Sequence, residues 1–272
     1  LSNNQKIIPK IVMGKNIWGQ ATCSRGETEA YGPHGIDIVQ RDNGTYQIGV
    51  INHFPYESVE MFELSKNTES WELIWKGCIA VPEDLYFNDI GLKADGSFYA
   101  SHMYRRDITE NEWLINSLFK SNSGHVVIWK DGDFIKVPNT EGSGPNGILL
   151  DEESDLLYIS YNQGDKISIF DLSTNTMGVD YFVQSPDNIH IGKSSLWVTS
   201  LDFQANDFGD CSEKVACSLP FSIHQLDQKT LKLKNKTSFS KTVFGLPTVA
   251  VPIDEMIYLG SFHSDRMGYF IK

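Results

Sequence analysis

The sequence predicts an all-β fold, a six-bladed β-propeller with four-stranded blades, on three observations. Four short motifs recur at the heads of apolar runs: His34-Gly35-Ile36, Asn88-Asp89-Ile90, Asn146-Gly147-Ile148 and Asp187-Asn188-Ile189. Positions 34, 88, 146 and 188 are separated by 54, 58 and 42 residues, and a fifth run opens near Thr248 after a further 60. Repeats of roughly 40 to 50 residues mark propeller blades, with longer gaps where a blade carries an insertion. Helical periodicity is nearly absent, and Gly-containing turns punctuate the runs.

The elements follow in order. Residues Lys6 to Met13 read as one or two outer strands of another blade, the rest of which lies upstream of Leu1 or is supplied by the C-terminal strands as closure. Added to the five inner strands that begin at residue 34, they make six blades, ahead of a five-bladed alternative. Leu1 is not a methionine, and the start reads as that of a trimmed product. Ile36–Val39 and Tyr46–Ile51 flank Asn43-Gly44, a pair that supplies the positive backbone angles of a tight hairpin. Ser58–Leu64 and Trp71–Trp75 complete that blade. Similar strands follow at Asn88–Leu92, Phe98–Ser101, Val126–Trp129 and Phe134–Val137, then through the compact stretch from Gly147 to Val183. Ile189–Ile191, Leu196–Thr199, Ser222–Leu226 and Leu231–Thr237 make the next blade, and Thr248–Val251, Met256–Gly260 and Tyr269–Ile271 the last.

Two insertions interrupt the hairpins. Thr109-Glu110-Asn111-Glu112 fits a capping box, and Trp113, Leu114, Ile115, Leu118 and Phe119 follow, so a short amphipathic helix spans 109–120. It is expected to pack as a lid on the rim; as functional alternatives it walls a site or makes weak interfacial contact with a membrane. The second insertion, Asp202–Leu219, holds Asp207, Asp210, Cys211 and Cys217 and reads as a surface loop.

Composition narrows the classes. The 272 residues suit a single domain spanning 1–272. With 23 basic and 35 acidic residues, the net charge of -12 argues against binding nucleic acid, which needs clustered Lys and Arg. No apolar run approaches the ~20 residues of a membrane span. Cys211 and Cys217 enclose a short loop and are the pair placed to bridge, whereas Cys23 and Cys78 read as buried apolar residues or free thiols. A bridge points to an exported protein, in which Asn43-Gly44-Thr45 and Asn235-Lys236-Thr237 would be glycosylation triplets.

Chemistry concentrates at the strand heads. Asn88, Asn146, Asp187 and Asn188 offer amide and carboxylate oxygens at equivalent stations of successive blades. Calcium takes about six to eight oxygen ligands in loose geometry, while zinc prefers clustered Cys and His. Each Asn alone reads as a turn-closing residue; the set together points to a cation site. His34 opens its strand at the same station, and His53 ends the next strand of the same blade, where antiparallel pairing brings the two together. Such a pair suits a general base that deprotonates water. His102 is a weaker candidate, and His125, His190, His224 and His263 read as structural.

The stretches Gly32-Pro33-His34-Gly35-Ile36, Val50-Ile51-Asn52-His53, Asn88-Asp89-Ile90, Pro145-Asn146-Gly147-Ile148 and Ser185-Pro186-Asp187-Asn188-Ile189 resemble the paraoxonase/arylesterase family. The likeness runs in order from about residue 8 to the C-terminus, and its Asn/Asn/Asp part is shared with the wider gluconolactonase and senescence-marker superfamily. The resemblance implies a six-bladed propeller with two calcium ions. The catalytic ion would take Asn88, Asn146, Asp187 and Asn188, and the structural ion Asp89 and the backbone oxygen of Ile36. His34 and His53 would be the base dyad, and the 109–120 helix a lid segment near the site. The family's adjacent Glu-Asp pair, one acid for each ion, falls upstream of Leu1. Its C-terminal disulfide cysteine is Phe270 here.

These observations predict a calcium-dependent hydrolase acting on small lactones or aryl esters of hydrophobic character. The alternatives are a non-catalytic propeller that binds a ligand or partner around structural calcium, and a sugar-lactone hydrolase. Oligomeric state is not legible.

Overall fold

The computed structural model describes residues 8–67, 70–203, 211 and 217–272, so Asp207 and Asp210 lie outside the described residues. The fold is an all-β propeller of five sheets with one α-helix among those residues. Two compact units make up the chain. The first runs to Ala100 and includes Ile128–Ile135; the second comprises Ser101–Val127 and Lys136–Lys272.

In the first unit, β1 (Lys10–Met13), β2 (Pro33–Gln40), β3 (Tyr46–Asn52), β4 (Ser58–Lys66) and β5 (Trp71–Ala80) form one sheet in the order β1-β5-β4-β3-β2. Strands β2 to β5 are an antiparallel meander, and β1 lies parallel to β5, with Lys10 opposite Glu72 and Met13 opposite Trp75. This corrects the six-blade expectation. The outermost strand of the meander offers unpaired backbone groups, and the N-terminal segment takes them instead of starting a blade of its own. The pairing continues beyond β1, where Ile17 and Trp18 N–H donate to Lys76 O and Gln20 N–H donates to Cys78 O.

Cys23 and Cys78 form a disulfide, against the expectation of free or simply buried thiols, while Cys211–Cys217 bridges as expected. The first pair is 55 residues apart in sequence and adjacent only once the segment after β1 is laid on β5. Around it Phe62 and Trp75 are buried, with Tyr31, Val50 and Leu73 packed against them. A buried ion pair sits beside this cluster: Arg25 Nη2 lies 2.9 Å from Glu60 Oε1, both side chains fully covered. Ser58 Oγ and Trp75 Nε1 each donate to Glu60 at 2.7 Å, so the carboxylate is satisfied from several sides.

The next sheet orders β6 (Phe87–Leu92), β7 (Phe98–His102), β8 (His125–Lys130) and β9 (Asp133–Lys136) sequentially. In the second unit, β10 (Pro145–Asp151), β11 (Leu156–Tyr161), β12 (Lys166–Asp171) and β13 (Thr176–Phe182) form an antiparallel blade. So do β14 (Pro186–Gly192), β15 (Ser195–Leu201), β16 (Phe221–Asp227) and β17 (Leu233–Phe239). The last sheet has three strands, β18 (Pro247–Ile253), β19 (Met256–Ser261) and β20 (Gly268–Ile271). Tyr158, Ile167, Ile189, Leu196 and Leu226 fill the core of this unit.

The helix α1 (Glu110–Phe119) has the expected capping box, with Thr109 Oγ1 accepting from Glu112 N–H and the Glu112 side chain accepting from Thr109 N–H. None of its residues is fully buried, and it packs only through a half-buried stripe. Trp113, Asn116 and Ser117, spaced to share one face, are half-buried, whereas Leu114, Ile115, Leu118 and Phe119 are exposed.

Removing the Cys23–Cys78 bridge is expected to cost about 4 kcal/mol from the chain-entropy relation for a loop of this length, read by urea denaturation of a Cys23→Ala/Cys78→Ala variant. His224 is buried, bonded to the Tyr181 hydroxyl at 2.9 Å, and burial lowers its pKa to about 4, with Lys236 adding to the effect. The unfolded chain therefore binds this proton first as pH falls. Stability is expected to drop between about pH 6.5 and 4 by up to about 3 kcal/mol, and a His224→Gln variant should show a flatter pH profile in the same window.

Candidate functional site

The motif residues sit where the innermost strands break register. Pairing shifts between Pro33 and Ile36, between Pro145 and Ile148, and between Pro186 and Ile189, so the His34, Asn146 and Asp187-Asn188 stations fall in β-bulges. A bulge leaves residues outside the ladder and re-aims their side chains. The glycine in two of these motifs has a steric reason. A Cβ at Gly35 would stand 2.4 Å from Asn88 O and 2.6 Å from Asp89 Oδ1. One at Gly147 would stand 2.6 Å from both Asn188 Cα and Asp187 O. Within each unit, one strand head therefore lies directly against the next.

In the first unit His34 and His53 come together as expected, with His34 Nδ1 2.9 Å from His53 Nε2. The chain of contacts extends to a residue that sequence reasoning missed: Glu57 Oε2 lies 2.7 Å from His53 Nδ1. Tyr86 stacks on the His53 ring at 4.7 Å and fixes its plane. Proton bookkeeping assigns the tautomers. Glu57 accepts from His53 Nδ1–H, which leaves His53 Nε2 as a lone pair; His34 Nδ1–H donates to it. The remaining lone pair of the chain is then His34 Nε2, which accepts from the Asn88 amide nitrogen at 3.4 Å. Although one side of His34 is open to solvent, the protein around it lowers its pKa to about 4, with His53 adding to the effect.

Asn88 and Asp89 are buried at the head of β6, and Asp37 on β2 accepts from Leu92 N–H at 2.8 Å. Burial pushes the Asp37 carboxyl up to about 6 against the pull of its backbone hydrogen bonds. Ile36 presents an exposed side chain and pairs through its backbone with Val50.

In the second unit Asn146 and Asp187 are buried and Asn188 half-buried. Their backbone oxygens are engaged, Asn146 O by Ser101 Oγ and Asn188 O by Thr199 Oγ1. The side-chain oxygens Asn146 Oδ1 and Asn188 Oδ1 are buried without a hydrogen-bond partner. Buried acceptors left unpaired are rare and call for an explanation such as a bound ion. Among the described residues no group of three or more His, Cys, Asp or Glu side chains is arranged to hold a metal ion, and the donors at the strand heads are amide oxygens with single carboxylates. That is a hard-oxygen set of the kind calcium takes, and the residues fit it. His102, the weaker candidate, packs edge-on against His125 at 4.9 Å.

No family model matches the chain, and no curated protein matches its sequence. Solved structures do share its fold. A chain of a nidogen/laminin complex aligns over 89% of this chain and 76% of its own length, with a TM-score of 0.53 and 11% identity. A Kuenenia stuttgartiensis hydrazine synthase chain gives 0.52 and 14% over 89% of this chain, which spans 58% of that chain's length. A luciferin-regenerating enzyme aligns over 88% of this chain and 72% of its own at 12% identity, with a TM-score of 0.47. At these identities the first two likenesses are of fold alone.

Because a methyl group has no room at either glycine, Gly35→Ala and Gly147→Ala are each expected to lower stability by about 1–3 kcal/mol through overpacking, measured by urea denaturation.

Proposed function

We propose that the protein is a calcium-dependent hydrolase of lactones or aryl esters. The observation that carries this is the Glu57–His53–His34 chain of contacts, in which the tautomers assigned above leave His34 Nε2 as the acceptor. His34 Nε2 takes a proton from the attacking water. The resulting imidazolium keeps its Nδ1–H on His53, and the Glu57 carboxylate offsets the charge through His53. Glu57 and Tyr86 hold the His53 ring in place for this exchange. Asn88, Asn146, Asp187 and Asn188 are the proposed ligands of the catalytic ion, and Asp89 and Ile36 O those of a structural one. Bound calcium would polarise the substrate carbonyl and stabilise the oxyanion. The unpaired oxygens of Asn146 and Asn188 support a cation at these residues. Two disulfides support export, since such bonds persist in oxidising compartments.

A second reading, a partner-binding propeller with structural calcium, is favoured by the exposed Leu114, Leu118 and Phe119 on α1. The two are separated by hydrolysis of phenyl acetate and of a medium-chain γ- or δ-lactone, with calcium and then with excess EGTA. Calcium-dependent turnover is expected. Thermal stabilisation by calcium without turnover would favour the binding protein, and indifference to calcium in both would overturn the metal assignment.

In the active protein, His34→Gln is expected to lower kcat by roughly 100-fold or more, the usual range for a general base; unchanged kcat removes His34 from that role. Asn146→Ala and Asp187→Ala should each abolish the rise in Tm on adding calcium, and a rise equal to that of the parent chain would exclude them as ligands.

A further inference from the structure

The second unit contains a cavity of about 320 Å³ that the proposed hydrolysis does not use. This is the size of a small-molecule pocket, for which volumes of roughly 300–1,000 Å³ are usual. Its apolar walls are the Trp113 ring of α1, Leu201, Phe203 and Phe262. Most of its polar lining is already engaged. Asn162 Nδ2 donates to Pro186 O and Gln184 Nε2 to Phe203 O. Asp165 accepts from Ser185 N–H and pairs with Lys120 at 2.8 Å.

Gln163 differs. It is 8% exposed, and neither its Oε1 nor its Nε2 has a hydrogen-bond partner. Its stem and Oε1 both lie close to Gly144, where a Cβ would stand 3.0 Å from Gln163 Cγ and 3.2 Å from Oε1. The terminal amide torsion of glutamine is broad, so the group can turn toward the cavity while the stem stays fixed. An amide buried with donors and acceptor both unsatisfied is costly, and a ligand that satisfies both recovers part of that cost, the rest going to desolvation of its own amide.

We infer that this cavity binds a neutral aromatic carboxamide, its ring held among Trp113, Phe203 and Phe262 and its amide paired with Gln163. A carboxamide presents a donor and an acceptor side by side, the complement of what Gln163 offers. Three aromatic walls select a ring, which stacks face-on or edge-on. The Asp165 carboxylate in the lining disfavours an anion, and its pairing with Lys120 leaves no net charge to attract a cation.

The test is calorimetric titration of the full chain, in EGTA, with benzamide and with acetophenone. Acetophenone has the same ring and carbonyl but a methyl group in place of the NH2. Benzamide is expected to bind about tenfold more tightly, the contribution of one good hydrogen bond. Gln163→Leu, which replaces an unpaired polar group with an apolar one of similar size, should keep the fold and make the two affinities equal. Trp113→Ala should weaken both ligands by a similar factor. Equal affinities in the parent chain, a preference that survives Gln163→Leu, unchanged binding in Trp113→Ala, or no binding of either ligand at 10 mM would each overturn the assignment. Because binding is read without calcium or turnover, its outcome is separate from that of the hydrolysis assay.

Discussion

Close approach between successive strand heads is the constraint on which the rest of the chemistry depends. A bulge opens the inner strands β2, β10, β14 and β18, and at two of them a glycine faces the neighbouring head at distances no Cβ could tolerate. The bulge frees a polar side chain from the ladder; the glycine lets the adjacent backbone come near enough for that side chain to matter. In the first unit this puts His34 within reach of Asn88, and in the second it brings Gly147 against the Asp187-Asn188 pair. The polar stations are thus a property of backbone geometry before they are a property of side-chain chemistry.

The first unit meets the cost of buried polarity in two ways. Glu60 is wholly covered yet receives a guanidinium, a hydroxyl and an indole N–H. Such a carboxylate is held in one place by three donors from separate parts of the blade. Glu57, three residues earlier, faces an imidazole that in turn faces another. Here each proton has an alternative position, and the same residue type becomes part of a chain along which charge can shift. Sequence proximity gives no hint of this division. What separates the two is whether the partner can change protonation state.

Much of the architecture was legible because it is local. Apolar alternation marked the strands, Asn43-Gly44 marked a hairpin, and Thr109 to Glu112 marked the helix start. The contact between His34 and His53 was legible too, since antiparallel pairing sets the head of one strand beside the end of the next. The failures were non-local. Cys23 and Cys78 meet only because the segment after β1 follows the edge of β5, and no pattern within either segment announces it. The same pairing turned an expected sixth blade into a fifth strand. Glu57 escaped notice because it reaches His53 across an irregular turn, and α1 shows its apolar residues to solvent because Trp113, Asn116 and Ser117 form the inward stripe.

The attachment of β1 has a consequence for behaviour in solution. With β1 paired along it, β5 is not the free margin of its sheet. An uncovered strand of this length, with Trp71, Leu73 and Trp75 along it, is a template on which another chain can lay down a strand. The Cys23–Cys78 bond holds the covering segment in place, so its redox state governs more than the folding equilibrium. Reduction would leave that cover held by its backbone pairing and the Arg25–Glu60 contact, and the edge beneath it easier to expose.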